Sequence, residues 1–310
     1  MSDVRAIFVS DLHLQSMAPP ARAGEPDWFE AMKKPLLEIA KLRKVTNNAP
    51  IFYAGDIFDY WKSSPKLINF ALQHLPPGYA IPGQHDLPNH SFDMIEDSAY
   101  WTLVLEGLLS PLLTHGASQI PDAGNMIVTG FPWGKELTPC CRAPGEFHVA
   151  LIHRFVWTDG CGYENAPKGQ RVAGYADCLK GYDLAVFGDN HKGFIQKIGD
   201  GPIIANCGAM MRRRSDEGDY VPGVILLYND GSVRRHYLST VGECFDAFTQ
   251  GESAINELLG DMTEFVGRLG EISEKEEFDF VELLKRFFNE NDTPEAVSKI
   301  IIEASERKTK

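Results

Sequence analysis

Asp11 and His13 stand two residues apart just after an apolar run, Ala6–Val9. In an extended segment, residues i and i+2 point to the same side. A carboxylate beside an imidazole is a donor pair for a hard or borderline divalent cation. Four more clusters follow apolar runs in the same way. Gly55–Asp56–Ile57–Phe58–Asp59 comes after Ile51–Ala54, and Gly83–Gln84–His85–Asp86 comes after Tyr79–Ile81. His153 comes after Val149–Ile152, and Gly188–Asp189–Asn190–His191 comes after Leu184–Phe187. Each alone has an ordinary explanation: a chance Asp-x-His, a helix cap at Asp56 or Asp59, a structural histidine. Five in series are not independent accidents, and the carboxyl ends of strands are where α/β folds place their sites.

The runs that carry these clusters are short, partly β-branched and bounded by Gly, Pro or Asp, so they read as strands. Met126–Thr129, Ile203–Ala205, Val224–Tyr228 and Val233–Leu238 have the same texture. Asp230–Gly231 between the last two predicts a hairpin turn, because this dipeptide tolerates positive φ. Helical spacing appears at Trp28–Leu42 and Pro65–Leu75. Strand–helix alternation early and strand–strand succession late predict a layered α/β sandwich, two mixed β-sheets flanked by helices. The Gly-rich segment Trp157–Lys180 lacks periodicity and reads as a lid or a surface excursion. The texture changes after Leu238. Phe278, Val281, Leu284 and Phe288 are helically spaced, and Thr293–Pro294 is a helix start. Residues 1–240 are therefore expected to form the main domain and residues 241–310 a small helical appendage.

Composition sets the outer bounds. The chain has 310 residues, 44% hydrophobic and 24% charged, as in ordinary globular enzymes. No run approaches the ~20 apolar residues of a membrane helix, and the first residues lack the apolar region of a signal peptide. The six cysteines have no C-x-x-C spacing, which excludes a zinc ribbon and suits reduced thiols. A cytoplasmic location is the expectation. The net charge of −13 excludes nucleic-acid binding by bulk charge alone. From Val241 to Lys310, however, acidic residues outnumber basic ones by 17 to 8, so much of the acidity sits in the tail and a basic groove elsewhere is allowed.

The ordered clusters from Asp11 to His191 resemble the calcineurin-like metallophosphoesterase superfamily, with its Asp-x-His, Gly-Asp, Gly-Asn-His-Asp/Glu, lone His and Gly-His-x-His. The resemblance implies two divalent metal ions, with Mn²⁺ expected and Mg²⁺ or Fe²⁺ as alternatives. Asp11, His13 and His191 would hold one ion, Asp56 would bridge, and Gln84, His153 and Asp189 would hold the second. His85 would contact the scissile phosphate or protonate the leaving oxygen, and Asp86 would orient His85 through its second ring nitrogen. Two ions ~3.5–4 Å apart would activate a water for in-line attack on phosphorus. Gln84 replaces the family's Asn and Asp189 its His, a more anionic and harder second position.

Gly55–Asp59, the following Ser63–Ser64–Pro65 and the Asn206–Ala209 turn resemble the SbcD-type DNA double-strand-break repair exonucleases. That resemblance implies a DNA substrate and an SMC-like coiled-coil ATPase as partner, with a homo-oligomer the other association to consider. The tail departs from that family in its short length, and the apolar Phe278–Phe288 face either docks a partner or, by default, packs onto its own domain. Arg212–Arg213–Arg214 would grip DNA phosphates or form a solvated turn, and Asn89 and His90 would touch substrate or cap a helix. The sequence leaves two other readings open. One is a phosphodiesterase or phosphatase for a nucleotide or other small ester, which the overall acidity favours. The other is a catalytically weak scaffold subunit, which the altered second position favours.

Overall fold

The structure is a computed structural model that describes residues 3–113, 118–120, 124–163 and 166–246. These fall in the first of two units of the chain, residues 1–247. The helical patterns expected at Phe278–Phe288 and Thr293–Pro294 lie outside the described residues.

Two six-stranded mixed sheets form the frame. The first contains β1 (Val4–Val9), β2 (Ile51–Ala54), β3 (Gly78–Ile81), β4 (Leu109–Pro111), β11 (Gly223–Tyr228) and β12 (Val233–Tyr237), in the order β12-β11-β1-β2-β3-β4. The second contains β5 (Ser118–Gln119), β6 (Met126–Phe131), β7 (Phe147–His153), β8 (Leu184–Gly188), β9 (Phe194–Lys197) and β10 (Ile203–Asn206), in the order β5-β6-β7-β8-β10-β9. Strands β1, β2 and β3 run parallel, as do β6, β7, β8 and β10. Antiparallel pairs close the β11–β12 and β9–β10 edges. The chain therefore has the α/β sandwich that its strand pattern predicts.

Alternation along the central strands explains why they read as unbroken apolar runs. In β1, Ala6 and Phe8 face the layer between the sheets, while Ile7 and Val9 face the helices. In β7, Val149 and Leu151 point inward, and Ala150 and Ile152 point to the far side. Strands buried on both faces need apolar residues at every position.

Helices α1 (Trp28–Val45), α2 (Pro65–His74) and α3 (Ala99–Leu105) cover the outer face of the first sheet with Met32, Leu36, Ile39, Leu67, Phe70 and Leu103. Asp27 and Ser64 cap the first two by accepting from Glu30 N and Leu67 N. The outer face of the second sheet is covered differently. Val172, Tyr175 and Leu179 of the aperiodic segment, with Val156 just before it, pack on Ala150, Ile152 and Phe187. That segment is thus a packed cover in its described part, and its lack of periodicity reflects 3-10 turns at Lys168–Gln170 and Val172–Tyr175. The hairpin after β11 forms as expected, with Gly231 at φ 78° and Ser232 N donating to Asp230 Oδ1.

The six cysteines are free thiols. Among the described residues no helix is long and apolar enough to cross a membrane. Residues 241–246, expected with the appendage, run along the domain. Arg212 Nη2 meets Glu243 Oε2 at 2.8 Å, and Asp246 N donates to Ala21 O at 2.9 Å.

Candidate metal centre

The parallel ends of β1, β2 and β3 meet those of β7 and β8 at one edge of the sandwich. The loops after β1 and β2 lie side by side, with Asp11 N bonded to Gly55 O, His13 N to Asp56 O and Leu14 N to Ile57 O. Asp189 N donates to both oxygens of Asp11, at 3.0 and 3.2 Å, which joins the two sheets across the site. The turn after β10 braces the same loops: Ala209 N donates to His191 O and Met210 N to Asp11 O.

Four side-chain-bearing residues here have left-handed backbone: Asp11 (φ 49°), His13 (φ 44°), Asp56 (φ 52°) and Asp189 (φ 86°). Such conformations cost on the order of 1–3 kcal/mol each and persist where the surroundings impose them. Gly55 is itself at φ 92°, and a Cβ there would sit 2.1 Å from His153 Nδ1. A Cβ on Gly83 would sit 2.0 Å from Asp56 Oδ1. The glycines before the clusters are the space the acidic and imidazole groups occupy.

Three groups of donor atoms converge: Asp11–His13–His191, His13–Asp56–His85 and Asp11–Asp56–His153. Asp56 reaches two sides, with Oδ2 3.4 Å from His153 Nε2 and 3.7 Å from His13 Nε2. His153 Nδ1 lies 2.6 Å from Ala54 O and donates to it, so Nε2 carries the lone pair. That Nε2 faces Gln84 Oε1 at 2.7 Å, while Gln84 Nε2 donates to Asp189 Oδ1 at 2.9 Å. On the other side His13 Nε2 faces His191 Nε2 at 3.1 Å. His191 Nδ1 is turned to Glu217 Oε1 at 3.1 Å, and His13 Nδ1 to Asp59 Oδ1 at 3.4 Å. His153 Nε2 and Gln84 Oε1 meet lone pair to lone pair, which needs a cation between them, either a proton or a metal, and the Nε2 atoms of His13 and His191 stand close enough to share a proton or an ion. The donor set of imidazole, carboxylate and amide oxygen suits a divalent metal ion.

Without a metal the electrostatics show the same demand. Burial works against a charged His153, but Asp56, Asp189 and Asp11 outweigh it and push the ring up to about 10. Burial likewise opposes ionised Asp56, yet His153, His85 and His13 hold its carboxyl well below the usual range. His13 goes the other way, pushed down to about 3 by burial and by the Arg213 guanidinium. Burial also lowers His85, but Asp56 and Asp59 overcome it and raise the ring above its ordinary value.

Several expected placements differ. Asp189 lies at the site but outside the three convergent groups, held by the Gln84 amide. Asp86 does not orient His85. Its buried carboxylate accepts from Ile57 N, Phe58 N and Gly83 N, a brace for two loops. The ring of His85 is fixed by the main chain instead, with Nδ1 2.8 Å from Asp59 O. Asn89 and His90 lie exposed on a 3-10 turn, at φ 49° and 56°.

The arginine run does not form an open cationic patch. Arg213 is 11% exposed and meets Asp59 Oδ1 at 2.6 Å, and Arg212 is 18% exposed and bonded to Glu243. Arg214, more open at 47%, pairs with Asp216. Each acidic partner is distant in sequence or sits in an aperiodic turn, so the run alone gave no sign of pairing. Sequence reasoning also missed Glu217 and the Asp59 side chain. Glu217 has no motif around it, whereas Asp59 stands in a cluster already singled out.

A model of the family described as calcineurin-like phosphoesterase matches residues 4–193. Among solved structures, a putative 5'-nucleotidase from Staphylococcus aureus is 15% identical with a TM-score of 0.47, covering 83% of this chain and 58% of that one. The calcineurin-like phosphoesterase YfkN from Bacillus subtilis is 13% identical with a TM-score of 0.41, covering 84% and 96%. The NAD nucleotidase of Haemophilus influenzae is 11% identical with a TM-score of 0.43, covering 89% and 61%. The chain therefore spans less than two thirds of the first and third of these proteins. No curated protein matches it in sequence.

Proposed function

Because this chain belongs to the calcineurin-like phosphoesterase family, we propose that it is a divalent-metal-dependent hydrolase of a small phosphoester, such as a nucleotide. The observation that carries the reading is the convergence of metal-ligating donor atoms across the strand ends, His153 Nε2 on Gln84 Oε1 and His13 Nε2 on His191 Nε2, with Asp11 and Asp56 beside them. Asp11, His13 and His191 would hold one ion, and His153 and Gln84 the other, with Asp56 reaching both and Asp189 steadying the Gln84 amide. Ions held there would supply polarisation of the attacking water and neutralisation of the phosphate oxygens.

The protein's own groups supply the rest. The Asp59 carbonyl takes the Nδ1 proton of His85, which leaves Nε2 as the working nitrogen. Asp56 and Asp59 raise the ring above its ordinary value against the effect of burial, which favours Nε2 as the proton donor to the leaving oxygen. A small substrate is favoured over DNA because Arg212 and Arg213 are held by carboxylates. The net charge of −13 adds no bulk attraction for a polyanion.

Hydrolysis of bis-p-nitrophenyl phosphate and of nucleotides, compared with labelled linear DNA in Mn²⁺ or Mg²⁺, tests the proposal. Metal-dependent turnover of the small esters, with DNA cut more slowly, is expected. Cleavage of DNA with the small esters untouched would return the nuclease reading, and no metal-dependent hydrolysis of any substrate would sink the proposal.

Metal binding should also register as stability. An ion that binds only the folded state adds about 2.7 kcal/mol at a hundred times its Kd. For a domain of this size that is a Tm rise of roughly 5–10 °C. Thermal melts with Mn²⁺ and after chelation measure it, and identical melts would count against a metal centre.

A further inference from the structure

Glu217 lies outside residues 4–193, the stretch that matches the family, yet it reaches the centre. It is buried in the 3-10 turn Ser215–Glu217. Its Oε1 is 3.1 Å from His191 Nδ1. Its Oε2 accepts from Arg213 N at 2.6 Å and from Arg214 N at 3.1 Å. Arg213, pinned in this way, sends Nη2 to Asp59 Oδ1 at 2.6 Å, and the same oxygen lies 3.4 Å from His13 Nδ1. The two imidazoles that face each other through Nε2 thus each have a carboxylate behind them. Glu217 is within hydrogen-bond reach of His191, while Asp59, whose partner Arg213 is fixed by that same Glu217 carboxylate, stands 3.4 Å from a His13 Nδ1 that makes no hydrogen bond. A carboxylate accepting from Nδ1–H fixes the tautomer that leaves Nε2 free to bind metal, and it sets the ring's angle.

We infer that Glu217 is a positioning residue for the metal position built by Asp11, His13 and His191, holding His191 as the Nδ1–H tautomer and tying the 212–217 turn to Asp59. The inference rests on the hydrolase reading only in requiring that a divalent cation binds there.

Mn²⁺ titration calorimetry on the full chain tests it with the parent, Glu217→Gln and Glu217→Asp. Glu217→Gln keeps the volume and removes the charge. It is expected to weaken one Mn²⁺ about 10–100-fold, the usual effect of losing such a partner, while the ion on the His153 side keeps its parent affinity. Glu217→Asp should recover part of the loss. Ring ¹⁵N shifts in metal-free protein, at a pH where the imidazole is neutral, should show His191 as Nδ1–H in the parent and as a tautomer mixture in Glu217→Gln. Unchanged affinity and unchanged tautomer in Glu217→Gln overturn the inference and leave the hydrolase reading standing. A parent that binds no divalent cation overturns both. If Glu217→Gln does not fold, the same two measurements on Glu217→Asp decide, and parent values there overturn the inference.

Discussion

Replacing His85 by alanine is expected to lower kcat about 10²–10⁴-fold, the usual range for losing a general acid, while the protein still binds its metal ions. The expectation comes from the ring's two contacts. Nδ1 is taken by the Asp59 carbonyl, so only Nε2 can serve the reaction, and His85 belongs to the His13–Asp56–His85 group at the site. The same placement gives His85 a second candidate role, as a metal ligand, and the variant separates the two. A catalytic acid leaves the metal content near the parent value and reduces turnover. A ligand reduces both. The check is metal per chain by elemental analysis beside kcat on a small aryl phosphodiester. An activated leaving group such as p-nitrophenolate needs less protonation, so the loss should be larger on an alkyl ester. Full activity on both would show that His85 is only a neighbour.

The second large effect is expected at Asp56. Asp56→Asn keeps the volume and an acceptor for His85 N, which the carboxylate now receives at 3.1 Å, but removes the charge that faces both His153 and His13. Asp56, like Asp11, belongs to groups on both sides of the centre, so both ions should bind more weakly. Charge stabilisation by bound metal is worth several kcal/mol in the transition state. A loss of about 4 kcal/mol corresponds to roughly 10³-fold in rate. Metal titration and kcat/KM on the same preparation measure the two losses together. If the asparagine variant binds two ions as the parent does, Asp56 does not bridge.

The altered residues at the second position gain a physical account from their contacts. Asn would place its amide one methylene closer to its own backbone. Gln84 extends further, so that Oε1 meets His153 while Nε2 donates to Asp189. A histidine at 189 could not accept that amide proton and also present a carboxylate charge. The two departures from the family pattern are therefore complementary to each other, which argues for a retuned position over an abandoned one and weakens the scaffold reading.

Most of the frame was legible because burial on both faces leaves its mark in sequence. Strands β1, β2, β7, β8 and β11 appear as apolar runs since each packs on both sides. The elements that escaped notice lack that mark. Strands β4 and β5 have three and two residues, β9 sits at a sheet edge with most of its residues exposed, and α3 spans seven residues, too short to show a helical period. The cover on the second sheet escaped because 3-10 turns bury single residues without a period.

The sequence by itself determined the five clusters, their strand-end positions and the glycines that make room for them, since strand, glycine and ligand donors adjoin within a few residues. Only the tertiary structure decided how the clusters are used. His13 and His191 are 178 residues apart, and nothing in local spacing says that their Nε2 atoms meet. The same holds for Asp86, whose carboxyl group is taken up by three backbone N–H groups from two loops. It holds too for Arg213, neutralised by Asp59 from 154 residues away. A side chain's type fixes what it can bind. Which partner reaches it first is set by how the two sheets bring their loops together.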